Sequence, residues 1–99
     1  MRDYSKMEAN VEQAVELLKA MGNQHRLMIL CVLQEEELSV SQLNERFPIP
    51  QSSLSQHLAW LRRAGFVKTR REAQTIYYRL DNAAVIDMIA MLHKHYCTE

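Results

Sequence analysis

Residues 38–65 contain two short helical patterns separated by a turn that two prolines bracket. Ser39 stands immediately before the first pattern and Gln42 follows three positions later, which is the spacing of a capping box. Pro48 and Pro50 end that helix and keep the residue between them extended, because a residue before proline is displaced from the α region. The second pattern begins directly after the second proline. Two short helices joined in this way predict a helix-turn-helix.

The second helix has an apolar face and a polar face of distinct composition. Leu54, Leu58 and Leu61 recur at helical spacing and are expected to face the core, with His57 packed beside them. The polar face consists of Gln51, Ser52, Ser53, Ser55, Gln56 and Arg63. It lacks the Glu–Lys pairs of an ordinary solvent face, and its short donor and acceptor groups can reach base edges in a DNA major groove. We therefore predict that these six residues contact DNA, against the alternative of a solvated polar face.

Charge is unevenly distributed, although the formal net charge is zero. Residues 1–50 hold five Lys or Arg against eight Asp or Glu, and residues 81–99 hold one against three. Residues 51–80 hold six basic side chains against a single acid. A basic segment within an acidic frame is typical of a surface that contacts nucleic acid.

After the second helix the pattern changes from helical to extended. Residues 66–72 and 75–80 are rich in β-branched and aromatic side chains and flank a short tip at 73–74, which predicts a β-hairpin. A hairpin directly after a recognition helix is a wing, here over residues 66–80. The wing residues predicted to contact DNA are Arg70, Arg71 and Gln74. The alternative is that the arginines only discourage edge-to-edge association of strands.

Three more helices are predicted, at residues 7–21, at 82–96, and at 27–33, where every residue is apolar and a fully buried core helix is expected. The predicted fold is mainly α with a β-hairpin wing, in the order α-α-α-α-β-β-α. The chain is expected to form one winged helix-turn-helix domain over residues 1–99. The helix-turn-helix occupies residues 39–64 and is followed by the wing. The terminal helices leave apolar surface uncovered, so we expect a homodimer. Its interface is predicted at Val11, Val15, Leu18, Val85, Ile89 and Leu92.

Several functional classes are disfavoured by motifs that the sequence lacks. No apolar run approaches the roughly 18 residues that span a bilayer, and no leader precedes a cleavage site, so a cytoplasmic protein is expected. Two cysteines are too few for a secreted disulfide scaffold. There is no Cys-x-x-Cys, no Gly-rich phosphate loop and no nucleophile with a paired base, so neither enzymatic activity nor a cofactor is expected.

Three stretches of the chain resemble the ArsR/SmtB family of winged-helix bacterial repressors. They read LLKAMGNQHRLMILCVL, ELSVSQL and QSSLSQHLAWLRRAGFVKTRREAQTIYYRL. The resemblance extends over about two-thirds of the chain. It implies an obligate homodimer bound to a double-stranded DNA operator with an inverted repeat, released by an inducer or by thiol chemistry.

The metal sites of this family are not expected in this chain. Its metal sensors have the thiolate ligands of ELCVCDL where this chain has Ser39 and Ser41. A second family site needs Asp-x-His and a spaced histidine pair on the last helix. Here no histidine follows Asp87 at that spacing, and His93 and His95 fall on different faces. We therefore predict no metal ligands.

Two roles remain open for Cys31 and Cys97. From the residues alone, Cys31 reads as a small buried hydrophobe and Cys97 as a tail residue. His93, Lys94 and His95 favour a thiolate at Cys97, whereas a helix C-terminus disfavours an anion. The resemblance implies redox sensing, because sulfide- and redox-responsive members of the family carry one cysteine on each of these helices. We predict control by thiol oxidation or persulfidation. The alternative is a regulator with inert thiols that acts by competition with another DNA-binding protein, through a partner, or through an unpredicted metal site.

Overall fold

The computed structural model describes residues 3–97, which form six helices and one three-stranded sheet. In chain order the elements are α1 (Ser5–Ala9), α2 (Val11–Met21), α3 (Gln24–Glu35), β1 (Leu38–Ser39), α4 (Val40–Arg46), α5 (Gln51–Arg63), β2 (Val67–Glu72), β3 (Thr75–Leu80) and α6 (Ala83–Tyr96). The predicted class, mainly α with a β-hairpin wing, is confirmed. α4 and α5 flank the proline turn, and β2 and β3 form the hairpin.

One hydrophobic core joins the helices to the base of the hairpin. Its buried members are Ala20, Ile29, Leu30, Leu33, Leu38, Leu43, Leu54, Leu58, Leu61, Phe66, Val67, Val85 and Ile89. α3 contributes three of them, but Met28 on the same helix is 46% exposed. The expectation that α3 is buried on every side is therefore wrong for this chain alone. Apolar composition all round does not bury a helix that has neighbours on only part of its circumference.

The predicted N-terminal helix is interrupted at Asn10, which separates α1 from α2. The Asn10 side-chain amide donates a hydrogen bond to the carbonyl of Lys6 at 2.9 Å, and its backbone N–H donates to the carbonyl of Met7 at 3.1 Å. Asn10 has φ −116° and ψ 11°, outside the helical range. A continuous helix over residues 7–21 was thus the wrong prediction, because the asparagine side chain competes with the helical hydrogen bonds.

A short strand that the sequence pattern did not predict, β1, pairs with β3 in antiparallel register. Leu38 lies opposite Tyr78 and Ser39 opposite Tyr77, giving the sheet order β1-β3-β2. A strand of two residues is too short to show alternation in a sequence. Its pairing attaches the middle of β3 to the start of α4, so the hairpin is held against the helix-turn-helix.

Two residues adopt left-handed backbone conformations at the ends of these elements. Gly65 has φ 84° just beyond α5, the left-handed conformation that commonly follows a helix C-terminus. Ala73 has φ 55° at the wing tip, where the absence of a Cβ would make glycine more favourable.

Candidate nucleic-acid interface

The turn between α4 and α5 is fixed by side-chain hydrogen bonds. Ser39 Oγ accepts from the Gln42 backbone N–H at 3.2 Å, and Gln42 Oε1 accepts from the Ser39 N–H at 2.9 Å, so the predicted capping box is present. At the other end of α4, the Asn44 amide donates to the carbonyls of Phe47 and Ile49 at 3.3 and 2.9 Å. Sequence reasoning missed Asn44, because its partners are backbone atoms of an irregular turn.

α5 is anchored by its apolar face, as its spacing predicted. Leu54, Leu58 and Leu61 are fully buried in the core. The opposite face is open: Gln51, Ser52, Ser55, Gln56 and Arg63 are exposed, and Ser53 is half-buried. Within the described residues these six side chains make no hydrogen bond or ion pair, so their polar groups remain available to a ligand.

His57 lies at the edge of the buried face and is half-buried, consistent with the packing role expected for it. Its ring centroid lies 5.7 Å from that of His25 on α3. Burial, followed by the charges of Arg26 and His25, lowers the pKa of His57 below its ordinary value. The imidazole therefore resists protonation more than a solvent-exposed histidine would.

The two wing arginines differ in their surroundings. Arg70 pairs with Glu37, which lies just before β1, and with Glu72 at 2.9 Å. Its guanidinium carbon also lies 4.6 Å from the ring centroid of Tyr77. Hydrogen bonds to Glu72 and Glu37 raise the pKa of Arg70. Arg71 donates from Nε to the carbonyl of Ala73 at 3.2 Å and remains exposed.

The predicted pair of guanidinium groups at the tip therefore divides between two faces, since successive strand residues point to opposite sides. Gln74, the third predicted wing contact, is exposed at the tip. Lys68 at the base of the wing is also paired, with Asp81 at 2.9 Å. Of the six basic residues between 51 and 80, two thus meet carboxylates inside the chain. The other four, for which the described residues show no ion pair, are Arg62, Arg63, Arg71 and Arg79.

The two cysteines are free thiols on neighbouring helices. Cys31 on α3 is half-buried and packs against the core, whereas Cys97 is exposed at the C-cap of α6. Burial raises the pKa of the Cys31 thiol, and the nearby charges of Cys97 and Glu35 raise it further. Cys31 therefore ionises less readily than an ordinary thiol.

The residues predicted for a dimer interface fall into two groups. Val11, Val15 and Leu18 are 46%, 42% and 58% exposed on α2, so they form an apolar surface strip. Val85 and Ile89 are instead buried in the core of the chain, at 0% and 5% exposure. We remove these two from the expected interface, because α6 uses that face to pack against its own domain.

α6 nevertheless offers apolar surface on its other side. Leu92, the remaining predicted interface residue, is half-buried. Ile86, Met91 and Tyr96 are exposed on the same helix, and sequence spacing alone did not separate them from the buried set. Both terminal helices therefore retain uncovered apolar side chains, although different ones on α6 from those predicted.

Two further features bear on the class of site. Among residues 3–97, no group of three or more His, Cys, Asp or Glu side chains is arranged to hold a metal ion. No helix in the described part of the chain is long and apolar enough to cross a membrane.

These elements define a winged helix-turn-helix protein. α5 has one buried apolar face and one exposed polar face, the short helix α4 precedes it, and the β2–β3 hairpin lies beside both. A model of the arsR family of bacterial regulatory proteins matches residues 23–69. The transcriptional activator HlyU of Vibrio cholerae is 56% identical over 95 residues, covering 96% of this chain and 88% of HlyU. The biofilm growth-associated repressor of Xylella fastidiosa strain Temecula1 is 39% identical over 93 residues, covering 94% and 82% of the two chains.

Comparison with solved structures also finds winged-helix transcriptional regulators. The reduced form of HlyU from Vibrio cholerae superimposes with a TM-score of 0.87, over 94% of this chain and 98% of that one. The repressor BigR of Xylella fastidiosa has 36% identity and a TM-score of 0.88, over 99% and 100% of the two chains. The chain belongs to the ArsR family of bacterial regulatory proteins. Its relatives are DNA-binding transcriptional regulators, a class without enzymatic activity, and they include both an activator and a repressor.

Proposed function

We propose that this protein is a homodimeric, sequence-specific regulator of transcription whose DNA binding is controlled by oxidation or persulfidation of Cys31 and Cys97. The observation that carries the DNA-binding part is the exposed polar face of α5. Its six side chains, defined above, are unpaired within the described chain, while its three leucines are fully buried. A rigid helix with free hydrogen-bonding groups suits direct recognition of base edges.

The wing is proposed to add contacts with the sugar–phosphate backbone. Arg71 and Gln74 are exposed near its tip, and β1 holds the middle of β3 against the start of α4. Arg70 is the weaker candidate, because contact with phosphate requires it to leave Glu37 and Glu72. Contacts of this kind position a protein on DNA but do not by themselves select a sequence.

Dimerisation is supported by the uncovered apolar side chains of the two terminal helices. Val11, Val15 and Leu18 share one strip of α2, and Met91 and Tyr96 are exposed on α6. A second copy related by a two-fold axis would cover such surfaces with the same residues. It would also present two α5 helices to half-sites about one DNA turn apart, which fits an inverted-repeat operator.

The thiol part of the proposal is a balanced chemical step. Two thiols that form a disulfide lose two protons and two electrons, and a peroxide takes up both to give water. With an inorganic polysulfide, one thiol accepts a sulfur atom to become a persulfide, and a polysulfide shorter by one sulfur leaves. The second thiol then attacks the persulfide at the cysteine sulfur, which forms the disulfide and releases hydrogen sulfide. Cys97 is the first to react in either route, since it is exposed while Cys31 is half-buried. Linking α3 to α6 would shift the relative position of the two proposed dimer helices and of α5.

The experiment begins with selection of an operator from random duplex DNA, followed by fluorescence anisotropy titration at one salt concentration. We expect Gln56→Ala and Ser52→Ala to change base preference, and Arg71→Ala to weaken binding uniformly across sequences. Lys6→Ala is the matched control, because it removes a positive charge from α1 outside the basic segment. Equal binding by all variants would contradict the proposed interface.

Redox control is tested in the same assay with reduced and peroxide-treated protein. Oxidation is expected to weaken operator binding by at least tenfold in the wild type and to have no effect in Cys31→Ser or Cys97→Ser. Identical affinities in both states would leave the second candidate, an ArsR-family regulator with inert thiols. That candidate is favoured by one observation, the raised pKa of Cys31, which slows its chemistry at neutral pH.

A further inference from the structure

Arg26, at the start of α3, joins three helices behind the candidate interface. Its guanidinium donates to the last carbonyls of α2, from Nη2 to Lys19 O at 2.7 Å and from Nε to Ala20 O at 3.3 Å. The guanidinium carbon lies 4.4 Å from the ring centroid of Trp60 on α5. Its own backbone N–H donates to the Asn23 side chain at 3.1 Å, which fixes the start of α3.

These contacts depend on the chemistry of arginine. The last carbonyls of a helix have no partners within the helix and carry partial negative charge, so a cation with several donors stabilises them. A planar guanidinium can present its edge to carbonyls while its face lies on an aromatic ring. Lysine keeps the charge of Arg26 but lacks the plane and the paired donors, so it cannot hold both helices in this geometry.

Trp60 connects this junction to the polar face of α5. It is half-buried and stacks on the buried ring of Phe66, with centroids 6.4 Å apart and an interplanar angle of 15°. Trp60 lies four positions after Gln56 and three before Arg63, on a helix whose leucines are locked in the core. The Trp60 ring therefore lies between the guanidinium of Arg26 and the core, on the same helix as the polar face.

We propose that Arg26 is a positioning residue that couples the end of α2 to the orientation of α5 on DNA. α2 carries the exposed strip of Val11, Val15 and Leu18, so the same contact links the proposed dimer surface to the proposed recognition face. Arg26 itself does not touch DNA in this arrangement. The inference rests on the proposed function. It adds the contact through which a movement of α2 would change the orientation of the side chains proposed to read bases.

The test compares Arg26→Lys with the wild type in operator binding and in the fluorescence of Trp60, which is the only tryptophan in the chain. We expect affinity to fall about tenfold, with altered tryptophan emission and easier acrylamide quenching. The slope of log K against log salt is expected to stay unchanged, because no phosphate contact is lost. Arg46→Lys is the matched control, since Arg46 on α4 pairs at the surface with Glu36 and with no other carboxylate among residues 3–97.

The outcomes separate the inference from the function on which it rests. Wild-type protein that fails to select or bind DNA contradicts the proposed function. Wild-type binding with equal affinity in Arg26→Lys overturns the inference. A salt slope lowered by about one in Arg26→Gln, which removes the charge, shows a direct phosphate contact instead. Should circular dichroism show that Arg26→Lys is unfolded, Trp60→Phe replaces it. This variant keeps an aromatic ring in the site but weakens the cation–π contact, so equal DNA affinity would equally refute the coupling.

Discussion

Oxidation of Cys31 and Cys97 to an intramolecular disulfide is expected to stabilise the folded chain strongly. The two free thiols lie on α3 and at the end of α6, 66 positions apart in sequence. Cys97 lies at the C-cap of α6, with its backbone N–H bonded to the carbonyl of His93 at 2.9 Å. Because Cys97 lies beyond the last helical residue, Tyr96, its backbone can adjust at the expense of that one hydrogen bond.

The magnitude follows from the length of the closed loop. In the chain-entropy model, cross-linking residues separated by 66 positions removes enough freedom from the unfolded state to contribute about 4 kcal/mol to stability. Strain in the folded state subtracts from this value. For a domain of this size, each kcal/mol moves the thermal midpoint by about 4–8 °C, so a strain-free bridge raises it by roughly 20 °C.

The assay is urea unfolding of reduced and oxidised protein, followed by circular dichroism at one fixed protomer concentration, because dimerisation also adds to apparent stability. Intact mass under non-reducing conditions verifies the bridge by a loss of about two mass units. Cys31→Ser and Cys97→Ser, treated with the same oxidant, are the controls and should show no gain.

An oxidised chain that carries the bridge but is no more stable than the reduced chain would refute this reasoning. It would mean that strain in the folded state costs as much free energy as the loop closure contributes. Bridges found only between protomers would refute it equally, since the proposed switch needs both thiols of one chain.

Three further perturbations test single contacts by urea unfolding. The pKa of His57 is lowered in the folded chain, so the unfolded chain binds a proton at this histidine more tightly. The free energy of unfolding should therefore fall as the pH drops below about 6.5. His57→Gln should remove this part of the dependence of stability on pH. Ser39→Ala should cost about 1 kcal/mol, because it leaves the Gln42 N–H without its cap, and no loss would contradict the role of the capping box. Ala73→Gly should add about 1 kcal/mol by relieving the left-handed backbone at the wing tip, whereas a loss would show that the Ala73 side chain is needed there.

Much of the helix-turn-helix could be predicted because its signals are local. The capping box, the two prolines and the leucine spacing act within a few residues, and each is present as the sequence pattern indicated. Gly65 likewise adopts the backbone conformation expected from its position after α5. Such features depend on short-range sterics and hydrogen bonds, which a single sequence contains in full.

Features that depend on distant parts of the chain were not predictable in the same way. The pairing of Arg70 with Glu37 joins residues 33 positions apart, and β1 exists only because β3 lies beside it. The periodicity of α6 showed an apolar helix but not which of its faces meets the core, so Val85 and Ile89 were assigned to the wrong surface. Amphipathic spacing gives the period of a helix, whereas its neighbours decide which residues are covered.

The internal pairing of basic residues has a measurable consequence for DNA binding. Lys68 and Arg70 are held by carboxylates of the chain, so contact with phosphate would exchange one ion pair for another. Four basic residues of the segment 51–80 remain per protomer, or eight in the proposed dimer.

Each phosphate neutralised on duplex DNA contributes about −0.9 to the slope of log K against log salt, so a dimer that uses these eight should show a slope no steeper than about −7. Recruitment of Lys68 and Arg70 as well would bring the slope to about −11. Titration between 50 and about 200 mM salt distinguishes the two values. A slope near the steeper limit would show that DNA displaces Glu37 and Asp81 from their partners, so that the ion pairs of the wing do not withhold Lys68 and Arg70 from phosphate. The shallower value would mean that these carboxylates limit non-specific attraction, which leaves the hydrogen-bonding face of α5 as the main determinant of where the protein binds.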